Sequence, residues 1–440
     1  MDLHPGRALS REQTADLLAE ARARTELLIS PLCDEDLRAQ HDSLMSPIVW
    51  DLGHIGHFEE VWLLEKLAGG GADGEGLRGM FNPFEHPRAS RGALALPSLD
   101  ECRGYLRRVR EAVLGRLGSI SPNGASPLTR DGFVYRMVLQ HEYQHDETIL
   151  QTLQLKRGEP YAAPRGGALP SRAPSAPEPG TMVRFPGGIV EIGTDDGSVA
   201  YDNERRRHAV ELEPFWIDAH PVTTGEYLAF VHDGGYGTRA VWSAQGWAWR
   251  REAEPLAPKH WTLTPRGWTE RFMDRVVLVE PNRPVCHVCY WEAEAYARWA
   301  GKRLPTESEW EAAASWDPDT GMKRAYPWGD EPPTTRHANL DQLLFETTPV
   351  GAYPAGVSPT GCWDMLGNVW EWTSTDFGGY PGYETFPYRE YSEAFFGDEY
   401  KVLRGGSWAT RFGAIRNTFR NWDYPIRRQI FSGIRCARDD

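Results

Sequence analysis

The sequence predicts an α+β protein in which a four-helix bundle precedes a compact domain of short strands, helices and turns. Residues 1–157 contain four long amphipathic helical segments, which fits a bundle. Residues 158–180 are rich in Pro, Gly, Ala and Ser, a composition typical of a linker. From residue 181 to residue 440 the pattern changes to short strands and Trp- and Gly-rich turns, which predicts a second domain.

Start signals place the first three helices of the predicted bundle. Ser10 and Gln13 have the spacing of a capping box at the start of the first helix, and the "SLDE" stretch at 98–101 repeats that spacing in the third. Ser46 is predicted to cap the second helix, with Pro47 at its first helical position. The fourth helix covers the stretch "GFVYRMVLQHEYQHDETILQTLQ", which runs into a basic pair and a glycine.

Short strands and helices alternate in the second domain. "TMVRFPGGIVEIGTDD" at 181–196 predicts short strands with turns. "TTGEYLAFVHDG" at 223–234 and "WEAEAYARWAGKRLPTESEWEAAASW" at 291–316 predict helices. The remainder is rich in glycine and tryptophan, so we expect much irregular structure.

Composition excludes several classes of function. The 440 residues carry 48 Lys and Arg against 62 Asp and Glu, a formal charge of −14, which argues against nucleic acid or an anionic membrane as a partner. The chain has neither an apolar signal segment at its N-terminus nor an apolar run of membrane-spanning length. Its six scattered cysteines favour a reducing cytoplasm, and the single Cys286-x-x-Cys289 pair is interpreted as structural. The sequence indicates no oligomeric state.

The most specific local pattern is His141-Glu142-x-x-His145 in the fourth helix. Two histidines four residues apart share one helix face, and this spelling is typical of zinc proteases. The commonest extended protease pattern continues with glycine and histidine, but here Thr148 and Gln151 stand at those positions. The chain then enters the Pro/Gly-rich segment, so the protease interpretation lacks a third ligand downstream.

A third ligand is available upstream, on the second helix. "WDLGHIGHFEE" carries His54 and His57, three residues apart, and either could point into a bundle. One of them with His141 and His145 would give three neutral imidazoles and leave positions on the metal open. Such a set suits zinc or ferrous iron. The residues alone do not choose between His54 and His57.

Several blocks together resemble the iron-dependent sulfoxide synthases of ergothioneine biosynthesis. They are "MSPIVWDLGHIGHFEEVWLL", "HPRASR", "QHEYQHDETIL" and, in the second half, "LPTESEWEAAA", "GNVWEWT" and "LRGGSW". Members of that family join a DinB-like helical bundle to a formylglycine-generating-enzyme-like domain with a C-type-lectin-type fold. The resemblance covers nearly the full chain. It implies O2-dependent C–S bond formation between hercynine and γ-glutamylcysteine, giving a hercynyl sulfoxide conjugate.

Carried over residue by residue, the resemblance implies an iron site. Ferrous iron would be held by His54, His141 and His145, because His57 stands where relatives often have glutamine. Glu142 would then be a structural carboxylate, and Gln144 would lie beside the substrate. Calcium is a second candidate ion, in the second domain.

The resemblance also implies two substrate pockets. Asn421 and Trp422 would hold hercynine, whose trimethylammonium group is well matched by an aromatic face. Asp423, Arg88 and Arg91 would bind γ-glutamylcysteine. Two guanidinium groups and one carboxylate complement the two carboxylates and one ammonium of that thiol.

Two assignments stay open in the sequence. The family's catalytic tyrosine falls on Tyr388 by the spelling Y-x-x-Y-S, while Tyr391 and Tyr383 lie close by. Arg427 and Arg428 are interpreted either as further substrate contacts or as partners of acidic neighbours. Because ligand histidines and substrate residues come from different domains, activity is expected to require both.

Three alternatives compete with this interpretation. A selenoneine synthase would join hercynine to a selenosugar, although the charges of Arg88, Arg91 and Asp423 favour a charged thiol over a neutral sugar. A zinc-dependent DinB-type thiol transferase would use the same three histidines. A lectin-type binding protein without catalysis would leave those histidines unexplained.

Overall fold

The computed structural model describes residues 9–71, 77, 79–117, 124 and 126–440. The chain forms two compact units. The helical unit runs up to Pro164 and includes Asp196–Val199, and the α/β unit comprises Arg165–Asp195 and Ala200–Asp440. The division falls inside the segment predicted as a linker. Within the described ranges, no helix combines the length and apolar character needed to cross a bilayer.

The predicted bundle is confirmed in the helical unit. The longest helix of the four packs against two of the others, and the second and third long helices also pack together. The elements are α1 (Arg11–Ile29), the short α2 (Asp34–Arg38), α3 (Ile48–Glu59), the short α4 (Lys66–Ala68), α5 (Leu99–Leu117) and α6 (Phe133–Gln154).

The predicted capping residues are confirmed for α1 and α5, and the one predicted for α3 is wrong. Ser10 and Gln13 form the predicted reciprocal capping box. Ser98 and Glu101 do the same before α5. Before α3, Pro47 itself is the capping residue and no side chain caps the helix. The reason is that the hydroxyl of Ser46 is engaged elsewhere, by a tertiary hydrogen bond described below.

A π-helix, Glu60–Glu65, continues α3 before α4 ends the run. Its wider turn keeps Glu60 buried, where the carboxylate accepts a hydrogen bond from Tyr105 on α5 at 2.7 Å. Gly69 then adopts φ +73°, the left-handed conformation that ends many helices. Interruptions of this kind are frequent near functional sites.

The α/β unit confirms the predicted mixture of short strands, helices and irregular segments. The elements are β1 (Met182–Phe185), β2 (Gly188–Ile192), β3 (His208–Leu212), β4 (Phe215–Asp218), α7 (Thr224–His232), α8 (Ala244–Ala253), β5 (Trp261–Thr264), β6 (Gly267–Phe272), β7 (Arg275–Leu278), α9 (Tyr290–Trp299), α10 (Glu307–Ser315), β8 (Trp316–Asp317), β9 (Met322–Lys323), β10 (Trp370–Phe377), β11 (Gly397–Arg404), β12 (Asn421–Asp423), β13 (Ser432–Gly433) and β14 (Ala437–Asp439). The largest sheet has four strands in the order β12-β11-β10-β13, and the two three-stranded sheets have the orders β1-β4-β14 and β5-β6-β7.

The core of the α/β unit contains charged groups as well as apolar ones. Trp310 on α10 is fully buried, and its indole N–H donates to the Glu371 carboxylate at 2.6 Å. The Arg435 guanidinium pairs with that same carboxylate at 2.8 Å. Buried charges of this kind are tolerated when they are paired and hydrogen-bonded. They fix the sheet on which β12 lies, so the segment Asn421–Asp423 is held by a rigid support.

Candidate metal centre

Three of the predicted ligand histidines lie together inside the helical unit. His54 on α3 and His141 and His145 on α6 each offer one ligand atom, and these atoms lie within 4.8 Å of one another. The Nε2 atoms of His54 and His141 are 3.2 Å apart. In the described part of the chain the group includes His54 and not His57, whose ring centroid is 6.2 Å from that of His54.

A backbone carbonyl fixes the orientation of the His54 ring. The Nδ1 atom of His54 lies 2.9 Å from the carbonyl oxygen of Phe81. Because a carbonyl can only accept, Nδ1 carries the proton and Nε2 of the neutral ring is left with its lone pair. Gly53 makes this approach possible, since a Cβ there would lie 2.1 Å from the Phe81 ring.

Burial keeps His54 and His141 neutral. Desolvation first, and then the neighbouring rings, lower the pKa of His54 and of His141 well below its ordinary value. Phe58 stacks on His141 with ring centroids 3.7 Å apart and planes within 6°. Neutral, oriented imidazoles whose nitrogens converge are the donor set that zinc and ferrous iron accept. The residues present therefore fit a divalent transition metal.

The third histidine faces a carboxylate that the sequence analysis did not single out. Nδ1 of His145 lies 3.4 Å from Oδ1 of Asp51, which is 1 % exposed. Asp51 is three residues before His54 on α3, so the two side chains share a helix face. That spacing places Asp51 on the face of a candidate ligand, but its contact with His145 follows from the packing of α3 against α6.

Glu142 is a structural carboxylate in this fold. Its Oε1 accepts from the Arg22 guanidinium at 2.8 Å and from the Thr25 hydroxyl at 2.9 Å. Burial raises the pKa of Glu142, but Arg22 and Arg110 outweigh it and lower that pKa. A carboxylate held this way is a poor general base, which argues further against the protease interpretation.

The Arg22 and Arg110 guanidinium groups extend this network to a second helix. Both also pair with Glu59 on α3, at 3.0 Å and 2.6 Å respectively. The network therefore joins α1, α3, α5 and α6 through buried ion pairs. Since α3 and α6 carry the three histidines, it helps to set the spacing between those ligands.

The predicted substrate residues of the helical unit have different environments. Arg91 is 5 % exposed and its guanidinium lies 3.4 Å from the ring centroid of Trp50, which itself stacks on His54 at 5.0 Å. Burial lowers the pKa of Arg91 to about 10. Arg88 is exposed at the start of a 3-10 helix, and Gln144 is half-buried on α6.

Arg91 also explains the missing cap of α3. Its Nη1 donates to the Ser46 hydroxyl at 2.7 Å, and its Nε donates to the carbonyl oxygen of His86 at 2.9 Å. The segment Arg88–Ala93 is thereby tied to the start of the helix that carries His54.

In the α/β unit, Trp422 lies in an aromatic cluster. Phe377 stacks on it with centroids 4.0 Å apart and planes within 8°. The rings of Tyr391 and Phe395 lie 5.8 Å and 5.7 Å away, the first edge-on. Asn421 precedes it on β12, and its Oδ1 accepts from the Trp422 backbone N–H at 2.9 Å. One face of the indole is therefore covered by protein.

The two arginines left open by the sequence pair with acidic neighbours. Arg427 Nε lies 3.3 Å from Oδ2 of Asp423, and Arg428 Nε lies 2.9 Å from Glu292. The other oxygen of Asp423 accepts from the backbone N–H of Tyr424 at 2.8 Å. Both arginines thus have the acidic partners of the second interpretation.

The three candidate tyrosines share one loop, which Asp202 anchors. The hydroxyl of Tyr383 donates to Oδ2 of Asp202 at 2.8 Å, and Ser392 donates to its Oδ1 at 2.5 Å. These contacts lie on either side of Tyr388, whose ring centroid is 6.2 Å from that of Tyr391. Asp202 is 1 % exposed and was not singled out from the sequence.

Comparison with known proteins gives matches over both units. Residues 167–440 match the family described as "Sulfatase-modifying factor enzyme 1-like domain", and residues 17–149 match the "DinB superfamily". A protein of Mycolicibacterium thermoresistibile named "Hercynine oxygenase" is 48% identical over 440 residues, covering 98% of this chain and 95% of that protein. Proteins of the same name are 47% identical in Mycobacterium tuberculosis (98% and 99% covered) and 45% identical in Mycolicibacterium smegmatis (98% and 100%).

Proposed function

The chain belongs to the hercynine oxygenase family and is an oxidoreductase, and on this premise we propose that it joins hercynine to γ-glutamylcysteine in an iron- and O2-dependent reaction. The product would be a hercynyl sulfoxide conjugate. The observation that carries the proposal is the group formed by His54, His141 and His145, in a chain that is similar to these relatives over nearly its whole length.

The three histidines would hold ferrous iron. Bound there, iron would supply the redox chemistry that O2 requires and would favour the thiolate form of a coordinated thiol. The buried, neutral state of His54 and His141 supports this, because neither ring must lose a proton before it binds a cation. Trp50 and Phe58 cover these two rings and keep water from them.

Hercynine would bind through Asn421 and Trp422. A trimethylammonium group has no N–H to donate, so an aromatic face is a suitable partner. Since Phe377 covers one side of Trp422, the cation would use the opposite side. Gln144, on the same helix as two of the metal ligands, would contribute a hydrogen bond to the substrate.

The thiol substrate would bind through Arg88, Arg91 and Asp423. The exposed Arg88 is free to move toward a carboxylate, and the buried Arg91 offers a charge that is poorly screened by water. Asp423 would exchange part of its contact with Arg427 for the ammonium group of the substrate. Tyr388 would donate a proton or a hydrogen bond to the reacting oxygen.

The test is anaerobic loading with ferrous iron, followed by O2 uptake and mass analysis of the product. We expect uptake and a sulfoxide conjugate with hercynine plus γ-glutamylcysteine, and weaker uptake with cysteine. His54→Ala should abolish both metal binding and uptake, whereas His57→Ala serves as the matched control and should retain them. A wild-type protein that binds iron but consumes no O2 with any donor would contradict the proposal.

The same assay discriminates between the alternatives. A selenosugar used in preference to γ-glutamylcysteine would indicate C–Se bond formation, and thiol transfer supported by zinc without O2 would indicate a transferase. The names of the three relatives favour neither. All six cysteines are described as thiols outside any disulfide and five are buried, which supports the cytoplasm as the proposed location.

A further inference from the structure

Asp51 and His145 are each incompletely bonded in the helical unit, and they face each other. Among the residues that the structure describes, buried Asp51 Oδ2 has no hydrogen-bond partner, and the same holds for His145 Nδ1. The nearer pair of atoms, Asp51 Oδ1 and His145 Nδ1, is 3.4 Å apart, slightly longer than a good hydrogen bond. A buried carboxylate oxygen without a hydrogen bond costs free energy of folding unless a partner supplies that bond.

The nearby cation does not supply that partner. Arg91 is close enough for the charge of Asp51 to raise its pKa, although burial dominates and lowers it. Its Nη1 and Nε nevertheless donate to Ser46 and to the His86 carbonyl. A structural ion pair therefore does not account for the burial of Asp51.

The arrangement matches the way proteins orient metal-bound histidines. A histidine that ligates a metal through one nitrogen usually donates its other N–H to a carboxylate or a carbonyl, which fixes the tautomer and raises the basicity of the ligand. His54 already has such an acceptor in the Phe81 carbonyl. His145 has Asp51 in the equivalent role, at a distance that a small rotation of the ring would close.

We propose that Asp51 is the positioning residue of His145, accepting its Nδ1–H so that the remaining nitrogen presents a lone pair to the metal. The inference rests on the proposed function, because it requires the three histidines to bind an ion. Asp51 touches neither substrate in this scheme and acts only through His145. Its carboxylate would also offset part of the charge that a divalent cation brings into a buried site.

The experiment measures metal affinity directly, on the full chain stripped of metal. Titration with Co2+, followed by its visible absorption, should show affinity about 10–100-fold weaker for Asp51→Ala than for wild type, with Asp51→Asn between the two. Asp146→Asn is the matched control. Asp146 is buried and adjacent to His145, but its Oδ1 accepts from Thr25, so Co2+ affinity should stay unchanged.

The outcomes separate the two proposals. Wild-type affinity in folded Asp51→Ala would overturn the role of Asp51 and leave the proposed function intact, whereas a wild-type chain that takes up no metal would overturn both. If the variants do not fold, nitrogen NMR of the wild-type protein loaded with Zn2+ decides. We expect His145 Nδ1 to carry its proton and the other nitrogen to shift as a ligand, and an unprotonated Nδ1 would overturn the inference.

Discussion

The ring of Phe81 lies against Gly53 so closely that a Cβ on residue 53 would be 2.1 Å from it, and the carbonyl of Phe81 orients His54. Gly53→Ala should therefore displace Phe81 and release the His54 ring. We expect a loss of about 1–3 kcal/mol in the free energy of unfolding, together with weaker metal binding. Urea unfolding and Co2+ titration measure the two effects.

Gly56→Ala is the control for this first prediction. A Cβ at residue 56 would meet Leu106 at 2.7 Å, a side chain of α5 rather than a support of a histidine. Comparable destabilisation without loss of metal affinity is expected. Equal loss of affinity in both variants would show that α3 responds as a whole and that Phe81 has no special role.

Removal of Glu142 tests whether it is structural or catalytic. Because it is fully buried and paired with Arg22, Glu142→Ala should cost about 3–5 kcal/mol in the free energy of unfolding. Turnover per folded molecule should fall only a few-fold. If Glu142→Gln folds stably but its turnover falls on the order of 10³-fold, the result would instead support a role of Glu142 in proton transfer.

Asp202 should control the tyrosine loop without affecting the metal site. Asp202→Ala removes the acceptor for Tyr383 and Ser392, so we expect Tyr388 to lose its fixed position. Asp202→Ala and Tyr388→Phe should both shift the product ratio from conjugate toward simple thiol oxidation, with unchanged Co2+ affinity. Mass analysis of both products under limiting O2 measures the ratio.

Two further variants make the loop prediction specific. Asp195 is exposed and lies seven residues before Asp202 in the chain, so Asp195→Asn should leave the ratio of conjugate to oxidised thiol unchanged. Tyr391→Phe tests the neighbouring tyrosine. A shift in Tyr391→Phe but not in Tyr388→Phe would move the proposed catalytic role to Tyr391.

Glu270 on β6 should make the stability of the α/β unit depend on pH. Burial raises the pKa of Glu270 to about 7, although Arg283 opposes the shift, and within the described ranges its Oε1 has no hydrogen-bond partner. A raised folded-state pKa means that the stabilising contribution is present below the unfolded value of 4.5 and is lost as pH rises through about 7. Stability should therefore decrease between pH 5 and pH 8 in the wild type.

Glu270→Gln removes the titrating group and should flatten that dependence. Relative to the wild type, the variant should gain roughly 1–3 kcal/mol between pH 5 and pH 8. Urea unfolding at several pH values measures this. Glu252→Gln, at an exposed position, makes the same charge change and should keep the wild-type slope. If the free energy of unfolding of Glu270→Gln changed with pH as steeply as that of the wild type, the pH dependence would belong to other groups.

Local rules in the sequence account for much of the helical unit. The capping boxes at Ser10 and Ser98 were predictable because a cap involves only residues three positions apart. The shared face of His141 and His145 followed from helical geometry. Bundle logic placed a third ligand on α3 but left His54 and His57 open, and family resemblance made the choice.

Contacts between distant segments account for what the sequence did not predict. Ser46 does not cap α3 because Arg91, 45 residues away, takes its hydroxyl. Asp51 was not singled out as a candidate because its importance depends on His145, which lies on another helix. Asp202 likewise acquires its role from a loop about 180 residues further along the chain. Such pairings follow from tertiary packing, which local patterns do not encode.

The ion pairs of Arg22 and Arg110 with Glu59 and Glu142 join the two ligand-bearing helices through contacts that do not involve the three histidines. Coordination would then contribute little to folding, unlike in small zinc-dependent domains that collapse when stripped. Occupancy by an incorrect divalent ion should consequently leave the circular dichroism spectrum almost unaltered, although any ion bound there raises the melting temperature by mass action. Mis-metallation of such a scaffold would therefore not change its secondary structure and would be visible in its chemistry.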